Sequence, residues 1–328
     1  MWRFLVRRLL WAAFLIVAAT FVTYAIFFLI PGDPATAAAG RGADPVAVQN
    51  VRRLLHLDEP VLEQYGRFLW NLVAHQSLGV SYNNRGEVRT PIMEALPVTG
   101  SLILGGTVLF LAISIPVGII SAMRPRSLVD RAGMVFVLFG ISLQPIWLGL
   151  MLSYIFGYRL GWTPIVGYCN AFPGPYEDCG GAVQWAYHLL LPWIAFSVPF
   201  AALYARMIRS QLMESMGEDY VRTARSKGVS ERAVVFRHAA RNSMLPVITI
   251  LGMDIGLAFA AAIFIERTFN LPGIGRQLLI ATGQFDLPMI CGIVVFISLI
   301  VITLNLIVDI LYGILDPRIR LTDPVRLG

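Results

Sequence analysis

The sequence contains little charge and almost no lysine. Only 14% of its 328 residues are charged, whereas 57% are hydrophobic, a balance too apolar for a soluble globular protein of this length. Lys227 is the only lysine. A P-loop needs a lysine that follows glycine and precedes Ser or Thr, but Lys227 follows Ser226 and precedes Gly228. This excludes a P-loop nucleotide site, so the energy for any driven process would come from another polypeptide.

Residues that commonly bind metals or act as nucleophiles are also scarce. The four histidines are scattered along the chain without metal-ligand spacing: His56, His75, His188 and His238. The three cysteines are Cys169, Cys179 and Cys291. We therefore predict no metal site, no catalytic site and no cofactor bound by this chain itself.

Long hydrophobic runs fill most of the sequence. Those close to the roughly 20 residues that cross a hydrocarbon core are 9–30, 98–123, 132–158, 189–205, 242–265 and 287–308. They predict an all-α membrane protein with six transmembrane helices. The first run is too long for a signal-peptide core and is followed by Pro31-Gly32 rather than a small-residue cleavage site, so we expect it to remain as a span.

Basic residues are distributed unevenly between the connections. With the N-terminus in the cytoplasm, 17 of the 26 Lys and Arg residues lie on the cytoplasmic side, eight of them between Arg206 and Arg241. Six of the other nine lie in the long connection at 31–96, which the positive-inside rule discounts. Both termini are therefore predicted to be cytoplasmic. The same bias accounts for the net charge of +6 without nucleic-acid binding.

Two connections on the outer side carry structural predictions. Residues 31–96 are predicted to form a small cap, with a helix start at Asp44-Pro45, a helix break at Pro60 and an apolar helix face that packs against the spans. Cys169 and Cys179 share the outer-side connection between the third and fourth spans, where oxidation is permitted, and we predict a disulfide between them. Two unpaired small residues are the alternative, and a metal pair is disfavoured because no His lies between them.

Polar residues inside the predicted spans are candidates for a translocation path. Asp254 lies near the middle of the fifth run, where an ionised carboxylate costs about 2.5 to 3.5 kcal/mol on insertion scales. It is expected to face a cavity, where it could attract an ammonium group, or to pair with another polar group. Gln144-Pro145 predicts a kink in the third span with a polar side chain facing inward.

The polar connector before the fifth span has the pattern of a folded element. Residues 218–227 predict a short helix with acidic residues at its start and basic residues at its end, and Gly228 would end it. Ser230 is a candidate N-cap for a second helix that runs toward Leu245-Pro246. A rigid connector of this kind can transmit a push to a span, whereas a flexible loop would absorb it.

This connector resembles the coupling loop of binding-protein-dependent ABC importer permeases, whose general form is Glu-Ala-Ala, three residues, Gly and a later Leu-Pro. Here Arg222-Thr223-Ala224 takes the place of the triplet, with two departures from it, and Gly228 and Leu245-Pro246 follow. Further similar motifs are IPGDP at 30–34, LDEP at 57–60, LGVS at 78–81, LPVT at 96–99, GWTP at 161–164, LPGIG at 271–275 and DPRIR at 316–320. Together they resemble the B-type permease subunit of dipeptide and oligopeptide importers, a family with nickel-uptake members.

The resemblance implies a type I ABC importer permease in a bacterial plasma membrane. Its parts would be a first span at 1–30, the outer cap at 31–96, a transmembrane domain at 97–315 with a coupling loop at 209–243, and a cytoplasmic tail at 316–328. The residues implied to dock on a partner ATPase are Asp219, Tyr220, Arg222, Thr223, Ala224, Arg225, Lys227 and Gly228. The implied partners are a homologous second permease, two cytoplasmic ATPase subunits or domains that hold ATP and Mg²⁺, an extracytoplasmic substrate-binding protein and membrane lipid.

Other functions remain open at this point. A permease for nickel or another small solute is the nearest alternative, because the binding protein selects the cargo. A secondary transporter normally needs several ionisable groups within its spans, and Asp254 is the one central candidate. A membrane scaffold is disfavoured by the polar residues in the spans.

Overall fold

The computed structural model describes residues 2–29, 33–40, 42–171, 175–176 and 178–315. Helices α1 to α7 are Trp2–Leu29, Pro34–Ala39, Pro45–Leu54, Val61–Ala74, Arg89–Met123, Leu128–Ser142 and Pro145–Leu152. Helices α8 to α14 are Ala182–Gly217, Asp219–Ser226, Glu231–Ala233, Ala240–Met253, Ile255–Phe269, Ile274–Gly283 and Leu287–Leu315. A first π-helical segment, Ser153–Arg159, extends α7, and a second, Val234–Ala239, joins α10 to α11. The predicted tail at 316–328 lies outside the described residues.

Helix dominates this structure. The described part of the chain has no strand, only isolated bridges at Val80 with Glu87 and at Asn170 with Asp178. Four helices, α1, α5, α8 and α14, are long and apolar enough to cross a membrane. The pairs α6 with α7 and α11 with α12 also qualify when each is taken together, although they are bent by 101° and 53°. The described residues therefore contain four span-length helices, or six spans if each bent pair forms one.

The first bend lies where the sequence predicted a kink. Helix α6 ends at Ser142 and α7 begins at Pro145, so Gln144 is the residue before the new helix. Gln144 has extended backbone angles, φ −78° and ψ 132°, which a residue preceding proline favours. The kink is confirmed, and because the chain turns by 101° there, the run at 132–158 counts as one span only if α6 and α7 are taken together.

The second bend was not predicted. The sequence suggested one helix over 242–265, whereas α11 ends at Met253 and α12 begins at Ile255. Asp254 joins them with φ −76° and ψ −3°, between Gly252 and Gly256. Glycine lowers helix propensity by about 1 kcal/mol relative to alanine, so this junction is intrinsically weak.

The chain divides into two compact units. The first comprises the described residues within 2–98 and 272–303. One of its buried clusters consists of residues from α1, α4 and α14: Tyr24, Phe27, Tyr65, Phe68, Leu287, Cys291 and Val295. The helix start at Asp44-Pro45 and the break at Pro60 are both confirmed, since α3 begins at Pro45 and Pro60 precedes α4.

The second unit comprises the described residues within 99–271 and 304–315. Its central element is α8, which buries side chains along most of its length. Small residues let neighbouring helices approach it closely. A Cβ atom placed on Gly118 of α5 would lie 2.8 Å from Ile208, and one placed on Gly140 of α6 would lie 2.6 Å from Ala202. Helix α8 is thus packed on both sides by spans and continues directly toward the polar connector.

Candidate functional site: the polar connector and the ties along α8

The connector folds as a helix, a left-handed turn and a second helical stretch. Helix α9 ends at Ser226, and Gly228 adopts φ +74°, a conformation that favours glycine. The Gly228 N–H donates to Arg225 O at 2.9 Å, and the Val229 N–H donates to Ala224 O at 3.3 Å. These two bonds form a Schellman motif. The short helix and the glycine stop are confirmed in the positions that the sequence indicated.

Helix α9 presents one face to the protein and the other to solvent. Val221 is fully buried and Ala224 is 7% exposed, and together they fix the helix against α8 and the second π-helical segment. The other residues predicted to dock on a partner are exposed: Asp219, Tyr220, Arg222, Thr223, Arg225, Lys227 and Gly228. Ala224 differs from them, because its side chain packs inward and contributes to the placement of α9.

Hydrogen bonds close the connector onto the end of α8. The Ser215 hydroxyl, on the last turns of α8, donates to Ala239 O at 3.2 Å and also pairs with the Tyr220 hydroxyl on α9. Ser230 precedes α10 as predicted, but its side chain makes no capping hydrogen bond. One serine therefore joins the beginning of the connector to its end.

A bidentate ion pair crosses the turn. Arg225 Nη2 donates to Glu231 Oε1 at 2.6 Å, and Arg225 Nε donates to Glu231 Oε2 at 3.1 Å. The hydrogen bonds with Arg225 lower the pKa of Glu231, and the same bonds raise the pKa of Arg225. Both groups are exposed, so solvent weakens the pair. Arg225 was predicted to meet a partner, and the structure adds that it also braces its own turn.

A partly buried ion pair joins α6 to α8 near the connector. Arg209 Nε and Nη2 donate to the two carboxylate oxygens of Asp130 at 2.6 and 2.8 Å, and the Arg126 N–H donates to the same carboxylate at 2.8 Å. Asp130 is only 4% exposed. Sequence reasoning counted Arg209 as one of many cytoplasmic basic residues and did not find this pair. The bond joins residues 79 positions apart, which no local pattern indicates.

Asp254, a predicted path residue, has a partner on the same chain. The Tyr204 hydroxyl of α8 donates to Asp254 Oδ2 at 2.9 Å. Tyr204 is fully buried, and its ring packs on Phe110 of α5 with a centroid distance of 5.0 Å. Asp254 itself remains partly exposed, at the bend between α11 and α12. Pairing, one of the two alternatives for Asp254, is therefore present in the structure.

Gln144, the other predicted path residue, lies at the bend between α6 and α7. Its side chain is exposed and makes no capping hydrogen bond to α7.

Glu266 is an acidic residue of the apolar helix α12, and the sequence analysis did not identify it. It is fully buried near the end of α12 and accepts a hydrogen bond from the Thr99 hydroxyl at 2.6 Å. An acidic residue near the end of an apolar helix is rare, and this feature of the sequence could have identified Glu266 as a candidate.

Cys169 and Cys179 form a disulfide in the connection between α7 and α8, with their Cα atoms 5.2 Å apart. The Cys179 N–H also donates to Asn170 O at 3.0 Å. These cysteines lie close to His188, within 4.8 Å between potential ligand atoms. Because the two sulfurs are bonded to each other, they do not offer thiolate ligands in this state.

The chain matches two family models. Residues 114–321 match the model described as the inner membrane component of binding-protein-dependent transport systems. Residues 1–103 match the model described as the N-terminal part of the membrane component of such systems. The connector, α8 and both bent helix pairs lie inside the first match.

Several curated proteins are similar over almost the whole chain. A protein of Brucella abortus (strain 2308), assigned as a peptide transport system permease, is 37% identical over 96% of this chain and 98% of its own length. The dipeptide transport system permease protein DppB of Escherichia coli (strain K12) is 34% identical over 98% of this chain and 99% of its own length. DppB of Alkalihalophilus pseudofirmus is 33% identical, with 96% and 98% of the two chains covered.

Proposed function

Because this chain belongs to the family of inner membrane components of binding-protein-dependent transport systems, we propose that it is the permease subunit of an ATP-driven peptide importer. The names of its relatives, which are peptide and dipeptide transport permeases, support the choice of cargo. The chain is a multi-pass membrane protein and not itself the ATPase. In this proposal it forms half of a translocation path with a homologous second permease.

In the proposed topology, each bent helix pair counts as one transmembrane span. This makes six spans and puts both termini in the cytoplasm of a bacterial cell, on the same side as the connector. An extracytoplasmic binding protein would deliver peptide to the opposite side. Two ATPase subunits or domains, which bind ATP and Mg²⁺, would meet the connectors of the two permeases.

The observation that carries the proposal is the exposed face of α9 on a braced connector. An ATPase that binds Asp219, Tyr220 and Arg222 would move α9 as a rigid unit. Val221 and Ala224 anchor this helix by packing inward, and the Schellman motif fixes its C-terminal end. A cytoplasmic loop that serves only to join two spans does not need such bracing. Charge complementarity with the exposed basic residues would orient the partner.

Helix α8 then provides a route for the movement. Ser215, Arg209 and Tyr204 lie on this one helix, and they bond respectively to the connector, to Asp130 of α6 and to Asp254 at the bend between α11 and α12. Tyr204 and Ser215 are 11 residues apart, or about 16 Å along the helix axis. A push on α9 would thus be delivered to two bent helix pairs, the elements best suited to change the opening of a path.

The test is transport by the purified assembly. The chain is coexpressed with its neighbouring permease, ATPase and binding-protein genes, and uptake of radiolabelled di- and oligopeptides is measured in proteoliposomes with ATP inside or outside. We expect uptake that requires ATP on the connector side and the binding protein on the other. Uptake of nickel or another small solute, with no uptake of peptides, would overturn the assigned cargo.

Docking is tested separately by cross-linking. A cysteine at Arg222, on the exposed face of α9, is expected to cross-link to an ATPase subunit in the membrane. Arg131 provides the matched control, because it is an exposed arginine on the first turns of α6 and lies outside the connector. Equal cross-linking from both positions, or none from position 222, would contradict docking through α9.

A further inference from the structure

Helix α4 has an apolar side that its own unit leaves uncovered. Its buried side contains Tyr65 and Phe68, which belong to the cluster with α1 and α14, and Leu69 and Leu72 pack against the same cluster. At one edge of this side, Leu62 is 71% exposed and Val73 is 78% exposed. Successive residues turn by about 100° around a helix, so residues 62 and 73 point in nearly the same direction. Leu69 points within about 40° of both and packs against the cluster, so Leu62 and Val73 form a stripe along the edge of the buried side.

Polar residues occupy a third side of α4. Glu63 and Arg67 are exposed, and Arg67 forms an ion pair with Glu59. At 3.6 residues per turn, Arg67 lies about 120° to 140° around the axis from the stripe of Leu62 and Val73. Trp70, which is 67% exposed, lies between the stripe and the charged side. A tryptophan at the boundary between an apolar and a charged surface is typical of helices at a membrane interface.

Contacts with α1 show how deep α4 lies. The Tyr65 hydroxyl donates to Val17 O at 2.7 Å and lies 3.0 Å from Thr20 Oγ1. The apolar span of α1 runs to Phe28, so Thr20 is eight residues, or about 12 Å, inside that end of the span. A tyrosine side chain is too short to reach this level from a helix that stands well clear of the membrane surface.

Helix α14 gives a second and independent measure of the same depth. The cluster that contains Tyr65 and Phe68 also includes Leu287, Cys291 and Val295. The span of α14 begins at Leu287, so Val295 is also eight residues, or about 12 Å, from that end. Both spans therefore put the buried side of α4 at the level of the outer part of the hydrocarbon layer.

From these contacts we propose that α4 lies in the membrane interface, with Leu62 and Val73 in contact with phospholipid acyl chains and Glu63 and Arg67 facing water. The predicted cap at 31–96 then lies only partly in water, because α4 is embedded in the membrane interface beside α1 and α14. In this position each side of α4 has a suitable environment: the buried side contacts protein, the apolar stripe contacts lipid and the charged side contacts water. The aligned stripe and the depth of Tyr65 support lipid as the occupant.

The experiment measures the surroundings of single spin labels on the permease purified with its copurifying subunits and reconstituted in phosphatidylethanolamine and phosphatidylglycerol liposomes. Single cysteines replace Leu62, Val73, Glu63 and Arg67 in turn. Cys169 and Cys179 are bonded to each other and Cys291 is fully buried, so the protein without an added cysteine gives the labelling background. Collision with oxygen reports lipid, and collision with a neutral water-soluble nickel chelate reports water.

We expect the ratio of oxygen to chelate collisions to be severalfold higher at positions 62 and 73 than at positions 63 and 67. Chelate access that is equal at all four positions would place α4 in water and overturn the proposal. Exclusion of both reagents from positions 62 and 73 would indicate a covering protein subunit and would overturn it as well.

A second measurement does not depend on introduced cysteines. Lipids brominated near the top of the acyl chain quench tryptophan fluorescence on contact. Trp70→Phe removes a tryptophan at the proposed boundary and is expected to reduce the quenched fraction relative to the unaltered protein. An unchanged quenched fraction would contradict contact between Trp70 and lipid, even if uptake and assembly remain normal.

Discussion

Arg225 and Glu231 form a bidentate ion pair across the left-handed turn at Gly228. The pair lies between α9, whose exposed face is proposed to meet an ATPase, and the helical stretch that leads into the membrane. Arg225 therefore has two candidate roles, one toward the partner and one within its own turn. These two roles can be distinguished by experiment, because the charges of Arg225 and Glu231 can be exchanged.

The first prediction uses that exchange. Arg225→Glu and Glu231→Arg each place like charges across the turn, and each is expected to reduce peptide uptake and substrate-stimulated ATPase activity. The double variant restores the ion pair but leaves the charge at position 225 reversed, so partial recovery is expected. Full recovery would assign Arg225 to the turn alone, and normal uptake by Arg225→Glu would contradict both roles.

The same pair predicts a pH effect on the connector. Its hydrogen bonds lower the pKa of Glu231, so the folded state holds this carboxylate ionised below the usual range of glutamate. The stabilising contribution is present above that usual range and is lost as the pH falls through the lowered pKa. Acid titration followed by amide hydrogen exchange at 225–231 should show this loss, and the Glu231→Gln variant should not. Identical profiles for the two proteins would contradict the effect.

The next prediction concerns Gly228. Proline fixes φ near −65° and has no N–H, so Gly228→Pro cannot adopt φ +74° and also removes the hydrogen bond to Arg225 O. We expect an inserted but uncoupled permease, with uptake and stimulated ATPase activity both reduced. Gly228→Asn is the control, because asparagine tolerates the left-handed conformation and no atom lies within 4 Å of the added Cβ. Similar activity of the two variants would refute a strained turn as the cause.

Local features of the connector were predictable, whereas its long-range bonds were not. Gly228 and the acidic start of α9 are signals within a few residues, and the structure has the helix and turn at those positions. The bend at Gln144-Pro145 follows from proline in the same way. The bond of Tyr204 to Asp254 joins residues 50 positions apart, so it depends on how α8 packs against the later helices.

The break at Asp254 shows why a hydropathy pattern is insufficient. The run at 242–265 is uncharged apart from this residue, and the number of residues needed to cross a membrane does not reveal a bend of 53°. The two glycines near Asp254 lower the helix propensity, but glycine is frequent in transmembrane helices, so their presence alone does not predict a bend. The hydroxyl of Tyr204 compensates the carboxylate at this point, and that compensation is visible only in the folded chain.

The partly buried pair of Asp130 and Arg209 should make a measurable contribution to stability. Asp130→Ala leaves Arg209 without its partner, but the Arg209 side chain is 23% exposed, so the cost is expected to be below the roughly 3 to 5 kcal/mol of a fully buried unpaired charge. Asp130→Ala is therefore expected to lower the melting temperature of the purified protein. Asp130→Ala combined with Arg209→Met removes both charges and should recover part of the loss. A double variant less stable than Asp130→Ala would contradict a pairwise tie between α6 and α8.

The bond between Cys169 and Cys179 is expected in the protein isolated from cells. The two cysteines share the loop between α7 and α8, which the proposed topology puts outside the cytoplasm, where thiols are oxidised. Mass spectrometry of unreduced peptides should find the linked pair. Alkylation of both cysteines without reduction, in protein taken from intact cells, would refute the bond and weaken the proposed topology.

The last prediction separates the charge of Asp254 from its bond to Tyr204. Asp254→Asn removes the charge but keeps an oxygen that can accept from the Tyr204 hydroxyl, whereas Tyr204→Phe keeps the charge and removes the donor. If the carboxylate attracts the ammonium end of a peptide, a loss of about 1 kcal/mol of attraction corresponds to about a fivefold slower uptake. We expect Asp254→Asn to slow uptake to this extent while assembly and coupling persist, and Tyr204→Phe to lower thermal stability with a smaller effect on uptake. The measurements are initial uptake rates, basal ATPase activity and the yield of assembled complex. Loss of assembly in Asp254→Asn, with uptake per assembled complex unchanged, would assign the carboxylate to the bend between α11 and α12 instead of the translocation path.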